Sequence, residues 1–272
     1  AVTSAGSFAL APAGGDDWSA QVPIAACVNG FDVRYEASWN LLLAGNIARE
    51  PALGVHQKWI TGDLPAGCTV QFGRRFVVDS TADLVDANPG DGLCAAAAFG
   101  GPCTLRAAVM EANALRGQDR IELTGATYTL TRAGDDDNAV SGDLDIVDEV
   151  AIVGNALTVI SAGTTGDRVF DLSPTGDPVD LELHGLTVRD GKPGGIGGGI
   201  RSRGRLHLFA TTVRDNTAVG AGGGIANDGG FVEMDNSELH GNQVLNAPAA
   251  QGGGLQSAGA DARVVLRASS VT

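Results

Sequence analysis

Short blocks of alternating apolar and polar residues recur along the second half of the chain. Four of them align with one another, at residues 181–188, 206–213, 232–239 and 264–271. Alternation with a period of two predicts β-strands and not helices. The blocks share three apolar columns: Leu181, Leu206, Val232 and Val264; Leu183, Leu208, Met234 and Leu266; and Val188, Val213, Leu239 and Val271. One strand pattern therefore returns at a nearly regular interval.

Clusters of glycine separate these blocks. Three glycines followed by Ile or Leu occur at 197–200, 222–225 and 252–255. Glycine permits the tight bends with positive φ that a chain needs between successive strands. A repeat of this kind, with one short strand pattern per repeat, predicts an all-β fold of the parallel β-helix type, a solenoid whose turns stack on one another.

Two asparagines fit the same repeat. Asn216 and Asn242 each follow a residue of the third apolar column by three positions. Because like positions of stacked turns are neighbours, we expect these side chains to form an asparagine ladder. Gly191 occupies the equivalent position one turn earlier, so the ladder should begin at Asn216.

One helical pattern lies upstream, at residues 104–117. Leu105, Val109, Ala112 and Leu115 form its apolar stripe, Thr104 is a suitable N-cap, and Gly117 is a suitable end. A helix placed over the first turn of a solenoid would shield an open sheet edge. We therefore expect a short N-terminal capping helix.

Several motifs around this helix carry a resemblance to a known family. They are FVVDSTAD at 76–83, PGDGLC at 89–94, CTLRAA at 103–108 and GATYTL at 125–130. Together with the glycine-rich turns, they resemble the CSLREA domain and the secreted right-handed β-helix proteins in which it occurs, some with polymorphic-outer-membrane-type or pectin-lyase-like repeats. Ala107 stands where the family motif has Glu, which removes half of a capping box. The resemblance covers residues 75–272 and implies a right-handed solenoid.

Residues 1–74 lie outside this resemblance and form a separate predicted domain. Alternating residues near Phe31 and again at 68–72 predict a small β-rich, sandwich-like unit. Four cysteines allow three disulfide connectivities. Pairing within each unit is favoured, which gives the bridges Cys27–Cys68 and Cys94–Cys103. Two disulfides indicate an oxidising, extracellular or cell-surface location.

The net charge of the chain disfavours some classes of binding partner. The net charge is −14, which disfavours nucleic acid and anionic membrane surfaces. No apolar run reaches the roughly 18 residues of a membrane helix, so we expect no membrane insertion by this segment. The chain begins at Ala1 without Met or a charged and then apolar leader, and we expect either that a signal peptide has been removed or that the chain has been trimmed.

Two acidic segments are candidate cation sites. The loop 83–92 contains Asp83, Asp86, Asn88 and Asp91, whose oxygens could hold Ca²⁺. Their spacing does not match an EF-hand loop, and a polar turn next to the disulfide is the simpler explanation. The run 134–146 holds more carboxylates. It could serve acid–base chemistry or a cation, but a solvated loop is the commoner origin of such a run.

The exterior positions of the repeated strand suggest a ligand-binding face. Glu182, His207 and Glu233 occupy equivalent positions between the core columns, and Asp235 belongs to the next exterior column. Stacked turns would place them together, where they could bind a ligand or transfer protons. Solenoid exteriors are normally polar, however, and solvated cross-strand neighbours are the commoner origin of such a pattern. No nucleophile motif is present, so no catalytic residue is assigned.

Repetition, disulfides and acidity together predict a secreted or cell-surface structural or adhesive protein. Its expected partners are cell-surface polysaccharide or protein, or further copies of itself. The last strand pattern, at 264–272, has no cap after it, so we expect either further turns or head-to-tail contacts that build a filament. The alternative is a polysaccharide-active hydrolase or lyase, or a carbohydrate-binding protein, that uses the exterior face.

Overall fold

The computed structural model describes residues 73–98, 100–115, 117–163, 165–175, 178–245 and 252–272, and four short strands near the N-terminus. The chain divides into two compact units, Ala1–Gln71 and Phe72–Thr272. In the first unit, β1 (Val2–Thr3) pairs antiparallel with β2 (Gly6–Ser7), and β3 (Ala11–Gly14) pairs antiparallel with β4 (Asp17–Ser19). The predicted Cys27–Cys68 bridge lies outside the described residues and stays a prediction.

The second unit is a parallel β-solenoid of about five turns, as predicted. Its one helix among the described residues is α1 (Leu105–Ala114). Its strands are β5 (Arg75–Val77), β6 (Asp119–Glu122), β7 (Thr127–Thr129), β8 (Leu144–Ile146), β9 (Val150–Ser161), β10 (Phe170–Leu172), β11 (Asp180–Arg189), β12 (Ile200–Ser202), β13 (Arg205–Phe209), β14 (Thr212–Arg214), β15 (Thr217–Ala218), β16 (Ile225–Asp228), β17 (Phe231–Asp235), β18 (Glu238–His240), β19 (Gln243–Val244), β20 (Leu255–Ala258), β21 (Arg263–Arg267) and β22 (Ser270–Val271).

The strands form stacked faces, with one strand of each face contributed per turn. The first face is a parallel sheet in the order β8, β10, β12, β16 and β20. The second and third faces belong to one larger sheet, because the long strands β9 and β11 run across both. β11 pairs with β13 through Asp180–His184 and with β14 through Thr187–Arg189. β15 and β19 form a further short parallel pair.

The apolar columns predicted from the sequence are confirmed by the strand register. Leu183 pairs with Leu208, Leu208 with Met234, and Met234 with Leu266. The first three are fully buried in one continuous core. Burying each such side chain stabilises the fold by roughly 1.5–3 kcal/mol. In the last described turn the same column is open, and Leu266 is 47% exposed.

The glycine clusters are required by both conformation and space. Gly197, Gly222 and Gly252 have φ of +69°, +61° and +63°, a region that residues with a Cβ rarely adopt. A Cβ placed on Gly223 would lie 2.4 Å from the carbonyl oxygen of Gly253 in the next turn. Successive turns approach so closely here that only glycine fits.

The predicted asparagine ladder is confirmed. The Gly191 N–H donates to Asn216 Oδ1 at 2.9 Å, and the Asn216 N–H donates to Asn242 Oδ1 at 3.1 Å. Each amide group also donates to a strand carbonyl of the preceding turn, at Val188 and Val213. The ladder therefore supplies partners for backbone groups that the bend removes from the sheets.

A second ladder was not predicted. Ser237 Oγ accepts from the Thr211 N–H at 3.0 Å, and Ser269 Oγ accepts from the Ser237 N–H at 3.0 Å. The hydroxyls of Thr211 and Ser237 in turn donate to the carbonyls of Leu183 and Leu208. Thr211, Ser237 and Ser269 thus supply hydrogen-bond partners at the bend between the second and third faces, as asparagine does at the bend after the third face.

Helix α1 occupies the predicted segment. Thr104 is its N-cap, with Oγ1 accepting from the Ala107 N–H at 3.1 Å, so this half of the capping box forms without a Glu. The helix ends at Ala114, short of the expected Gly117, because Leu115 already adopts extended backbone. The predicted disulfide Cys94–Cys103 is present just before the helix, with a Cα–Cα distance of 5.0 Å.

The ladder predicts a specific loss of stability. In Asn216→Ala, the Gly191 N–H and the Val188 carbonyl lose their buried partner, which should cost about 1–3 kcal/mol for each group left unpaired. Urea unfolding followed by circular dichroism measures this loss. Asn138→Ala, at an exposed loop position, is the matched control. Equal stability of the two variants would contradict a stabilising ladder.

Candidate functional site

Exterior side chains of successive turns form a continuous strip on the second face. Parallel pairing sets Glu182 opposite His207 and His207 opposite Glu233, which confirms the predicted shared face. The next exterior column sets His184 opposite Phe209 and Phe209 opposite Asp235. We call this set the exterior strip: Glu182, His184, His207, Phe209, Glu233 and Asp235. Ligand binding by these residues stays a prediction.

Aromatic rings of the strip stack on one another. His184 and Phe209 have ring centroids 4.6 Å apart and an interplanar angle of 11°. His207 and Phe209 are also nearly parallel, at 5° and 6.1 Å, and Phe231 meets His207 at a tilt of 55°. Because the ring faces are directed towards other rings, the ring edges and the neighbouring carboxylates are the groups available to a ligand.

Glu182 is held in its ionised form. Its Oε2 lies 2.9 Å from His184 Nε2, and Gln118 Nε2 donates to its Oε1 at 3.2 Å. The hydrogen bond to His184 lowers the pKa of Glu182 below its ordinary value, and it outweighs the opposing effect of burial. Glu182 therefore accepts hydrogen bonds and does not donate a proton near neutral pH.

His207 is held in its neutral form although a carboxylate adjoins it. Its Nδ1 lies 3.3 Å from Glu233 Oε2, and Arg267 also pairs with Glu233. Burial lowers the pKa of His207, with Arg205 and His184 acting in the same direction, while Glu182 and Asp180 oppose the shift. The effect of burial on the pKa of His207 prevails, because Arg267 already partners the adjoining Glu233 carboxylate.

These pKa directions limit the chemistry of the strip. A general acid needs a carboxyl group with a raised pKa or a protonated imidazole near the working pH. The pKa values of Glu182 and His207 are both lowered. Near neutral pH these two groups can therefore accept a hydrogen bond or a proton, but neither is in the protonated form that a general acid needs.

Asp83, a predicted Ca²⁺ ligand, is committed to another interaction. Its Oδ1 lies 2.6 Å from Nε of the fully buried Arg106, and its Oδ2 accepts from the N–H groups of Thr131 and Arg132. Burial by itself would raise the pKa of Asp83, but these hydrogen bonds and the guanidinium charge prevail and lower it. The side chain therefore joins the loop to α1 as a buried ion pair.

Asp86 and Asp91, two of the other three predicted ligands, stabilise the loop itself through their carboxylates. Asp86 accepts from the N–H groups of Asn88 and Ala95, at 2.8 and 2.9 Å. Asp91 accepts from the Leu93 N–H at 2.8 Å. Among the described residues, the carboxylates of this loop do not meet in one cluster. The geometry favours the polar-turn interpretation, and Ca²⁺ binding by this loop stays a prediction without structural support.

The acidic run 134–146 divides into two parts. Asp135 and Asp137 are exposed, as a solvated loop predicts, but Asp143 and Asp145 are buried. Parallel pairing of β8 with β10 sets Asp145 opposite Asp171. We call these three carboxylates the buried aspartate cluster: Asp143, Asp145 and Asp171. For Asp143 and Asp145 the solvated-loop expectation was wrong, because the buried residue Ala139 packs against them and its N–H donates to Asp145 Oδ2.

Two arginines neutralise part of this cluster. Arg168 Nη1 lies 2.8 Å from Asp143 Oδ2 and 2.9 Å from Asp171 Oδ2, and Arg201 Nη2 lies 2.5 Å from Asp171 Oδ2. Burial and then neighbouring carboxylates raise the pKa of Asp143 to about 9. Burial raises the pKa of Asp145 to about 7. The cluster is therefore short of positive charge.

A sequence signal for this cluster exists. The triplets LDI at 144–146 and FDL at 170–172 both place Asp between two apolar residues, as strands of the same face do. Aligning them would have paired Asp145 with Asp171. Arg168 and Arg201 could not be assigned in this way, because their partners depend on how the turns stack.

No protein family, curated protein or solved structure matches the chain. Among the described residues, no helix is both long enough and apolar enough to cross a membrane. The functional evidence is thus the geometry of the exterior strip and of the buried cluster.

The environment of His207 predicts its titration. Below pH 6.5, the ordinary pKa, the unfolded chain protonates this imidazole while the folded protein keeps it neutral. The unfolded state then binds more protons, so this group reduces the free energy of unfolding as pH falls. We expect the His207 ring protons to titrate below pH 6.5 by NMR, with the signal assigned by its loss in His207→Gln. That variant should lose less stability than the wild type between pH 6.5 and 5. A midpoint at or above 6.5 would contradict the assignment.

Proposed function

We propose that this chain is a secreted or cell-surface structural or adhesive protein, whose solenoid carries a non-catalytic docking face. The observation that carries the proposal is the exterior strip. Glu182 pairs with His184 and Glu233 pairs with His207 and Arg267. The polar groups are thus fixed as acceptors in a rigid row, which suits recognition of an extended partner rich in hydroxyl or amide groups.

The proposal includes membership of the CSLREA-type right-handed β-helix proteins. Arg106, from the motif at 103–108, forms a buried ion pair with Asp83, from the motif at 76–83. Two of the motifs that carry the resemblance are therefore in direct contact. Right-handedness is supported by the strong general preference of parallel crossover connections for that hand.

The capping role of α1 is likewise a proposal. Leu105, Val109 and Ala112 are buried in the same core as the strands of the first turns. The helix contacts β6 and β8. A helix in this position would keep water and other strand edges away from the first turn. The disulfide-stapled β domain proposed for residues 1–74 would precede it.

Secretion is supported by the disulfide Cys94–Cys103 and by the net charge of −14. Disulfides persist in oxidising compartments and are rare in the cytosol. A strongly acidic surface keeps a protein soluble and repels anionic membranes. Both properties suit a protein that works outside the cell on a neutral or basic partner.

Self-association through the last turn is also proposed. Leu266 and Val271, which continue the core columns, are 47% and 40% exposed. Strands β20, β21 and β22 each pair with one neighbouring strand among the described residues. Such an edge is a template for strand addition, either by further turns of a longer chain or by a second copy, and a head-to-tail contact of the second kind propagates into a filament.

This self-association is directly measurable. We expect the 272-residue polypeptide to form oligomers that grow with concentration in sedimentation velocity. Leu266→Glu, which places a charge on the open column, should shift the distribution to monomer. Val140→Glu makes the same change at a loop residue that is also exposed and should leave the oligomers unchanged. A monomer at every concentration would rule out this part of the proposal.

The alternative function is a polysaccharide-active hydrolase or lyase. Glu182 and Glu233 lie two strands apart, about 9.5 Å between their backbones, with His207 between them. Paired carboxylates at comparable separation act in inverting glycosidases. The lowered pKa of Glu182 suits the ionised member of such a pair, which leaves Glu233 as the acid. The ion pair of Glu233 with Arg267 opposes that role.

Binding and turnover can be separated in one assay. The protein is incubated with neutral, basic and acidic polysaccharides, and both retention on the polymer and new reducing or unsaturated ends are measured. We expect retention without turnover, weakened several-fold in Glu182→Gln and Glu233→Gln because each loses a charged acceptor. Glu238→Gln, an exposed carboxylate of β18, is the matched control. Turnover that Glu233→Gln abolishes would establish the enzyme instead.

A further inference from the structure

The buried aspartate cluster carries more negative charge than its neighbours compensate. Asp143, Asp145 and Asp171 are 3%, 1% and 2% exposed. Asp145 and Asp171 are direct partners on β8 and β10, a pairing of like charges that is destabilising in a sheet. Burial removes the water that would otherwise solvate these carboxylates. Some positively charged group must therefore stabilise the cluster.

The arginines supply that charge unevenly. Arg168 bridges Asp143 and Asp171, and Arg201 binds Asp171 through two nitrogens. Three carboxylates face two guanidinium groups, which leaves one negative charge in excess. Neither arginine donates to Asp145 in the hydrogen bonds of the described residues. The excess charge is thus centred on Asp145, and nearby acidic side chains add to the negative field: Asp136, Asp137 and Asp167.

Asp145 is also incompletely hydrogen-bonded. Its Oδ2 accepts from the Ala139 N–H at 2.8 Å, but its buried Oδ1 has no partner among the described residues. A buried, unpaired carboxylate oxygen is strongly unfavourable. It is the one oxygen of the cluster that is both buried and without a hydrogen bond in the part of the chain that the structure describes.

We propose that the buried aspartate cluster binds one oxygen-preferring divalent cation, with Ca²⁺ as the preferred ion and Asp145 as its anchoring ligand. One carboxylate oxygen from each of the three residues lies within 4.8 Å of the others. Oxygens bound to one Ca²⁺ at 2.3–2.6 Å can stand up to roughly 5 Å apart across the ion. Mg²⁺ needs shorter bonds and a nearly regular octahedron, so it should bind more weakly.

The arginines are compatible with such an ion. Carboxylates that ligate metals are themselves usually hydrogen-bonded on their other sides, which orients them. Arg168 orients Asp143 through Oδ2. Asp171 accepts from arginine through both of its oxygens, so a bound ion would share the Asp171 carboxylate with Arg168 and Arg201. The competing explanation is a proton shared within the cluster. It differs from the cation in a measurable respect, because a proton leaves stability independent of added Ca²⁺.

Thermal unfolding after chelation tests the proposal. CaCl₂ and MgCl₂ are titrated separately into chelator-treated protein at constant ionic strength. For a unit of this size we expect Ca²⁺ to raise the Tm of the wild type by about 5–10 °C at a hundredfold excess over Kd. Mg²⁺ should give a smaller rise. Isothermal titration calorimetry should show one Ca²⁺ per chain.

Removal of the Asp145 charge should have different effects on stability in chelator and in Ca²⁺. Asp145→Asn should be at least as stable as the wild type in chelator, because it removes the excess buried charge, and it should lose the Ca²⁺-dependent shift. Asp135→Asn makes the same change at an exposed carboxylate and should retain the full shift. If Asp145→Asn does not fold, Asp143→Asn and the wild-type calorimetry replace it.

Three results would overturn the proposal. The first is a wild type without Ca²⁺-dependent heat or Tm shift, which would leave a shared proton as the neutralising species. The second is an undiminished shift in Asp145→Asn. The third is loss of the shift in Asp91→Asn but not in Asp145→Asn, which would place the ion in the loop 83–92.

Discussion

Stacking of turns at strand spacing is the constraint on which the structure of this solenoid depends. Each residue lies about 4.8 Å above its equivalent in the preceding turn. Residues at equivalent positions of successive turns must therefore be compatible as direct neighbours. Inside, this condition produces columns such as Leu183, Leu208 and Met234. At the bends, where sheet hydrogen bonds end, it produces side-chain ladders, since one asparagine or hydroxyl can serve the backbone of the turn beside it. At the tightest approach it leaves room only for glycine.

Stacking also brings the exterior side chains of successive turns together, and there it determines which charges are neighbours. Identical acidic residues in successive turns would repel one another across the sheet. On the second face the conflict is resolved by alternation, because His207 separates Glu182 from Glu233. On the first face it is resolved only in part. Asp145 and Asp171 follow each other directly, and Arg201 comes one turn later. The two faces thus differ in their charge: the second alternates carboxylates with an imidazole, and the first places carboxylates next to each other.

The beginning of the solenoid depends on a buried ion pair. Arg106 is fully buried on α1 and bonds to Asp83 and to the carbonyls of Ala139, Gly142 and Asp143. Removing one partner of such a pair leaves an isolated buried charge, which typically costs about 3–5 kcal/mol. This network holds together the helix, the loop that precedes it and the segment that covers the buried aspartate cluster. The cluster is buried because that segment is fixed in place.

The sequence by itself determined the features that repeat with the period of one turn. The apolar columns, the asparagine ladder with its start at Asn216, and the glycine bends follow from that period, as register is set when like residues must coincide. The helix start at Thr104 and the bridge Cys94–Cys103 are local and could be predicted for that reason. The hydroxyl ladder of Thr211, Ser237 and Ser269 has the same period, so the sequence contains that signal as well. Tertiary structure alone decided the pairing of Asp83 with Arg106 and the burial of Asp143 and Asp145. These residues lie in segments that do not repeat with the turns or are covered by such a segment, and the sequence of an acidic run does not show whether water or protein surrounds it.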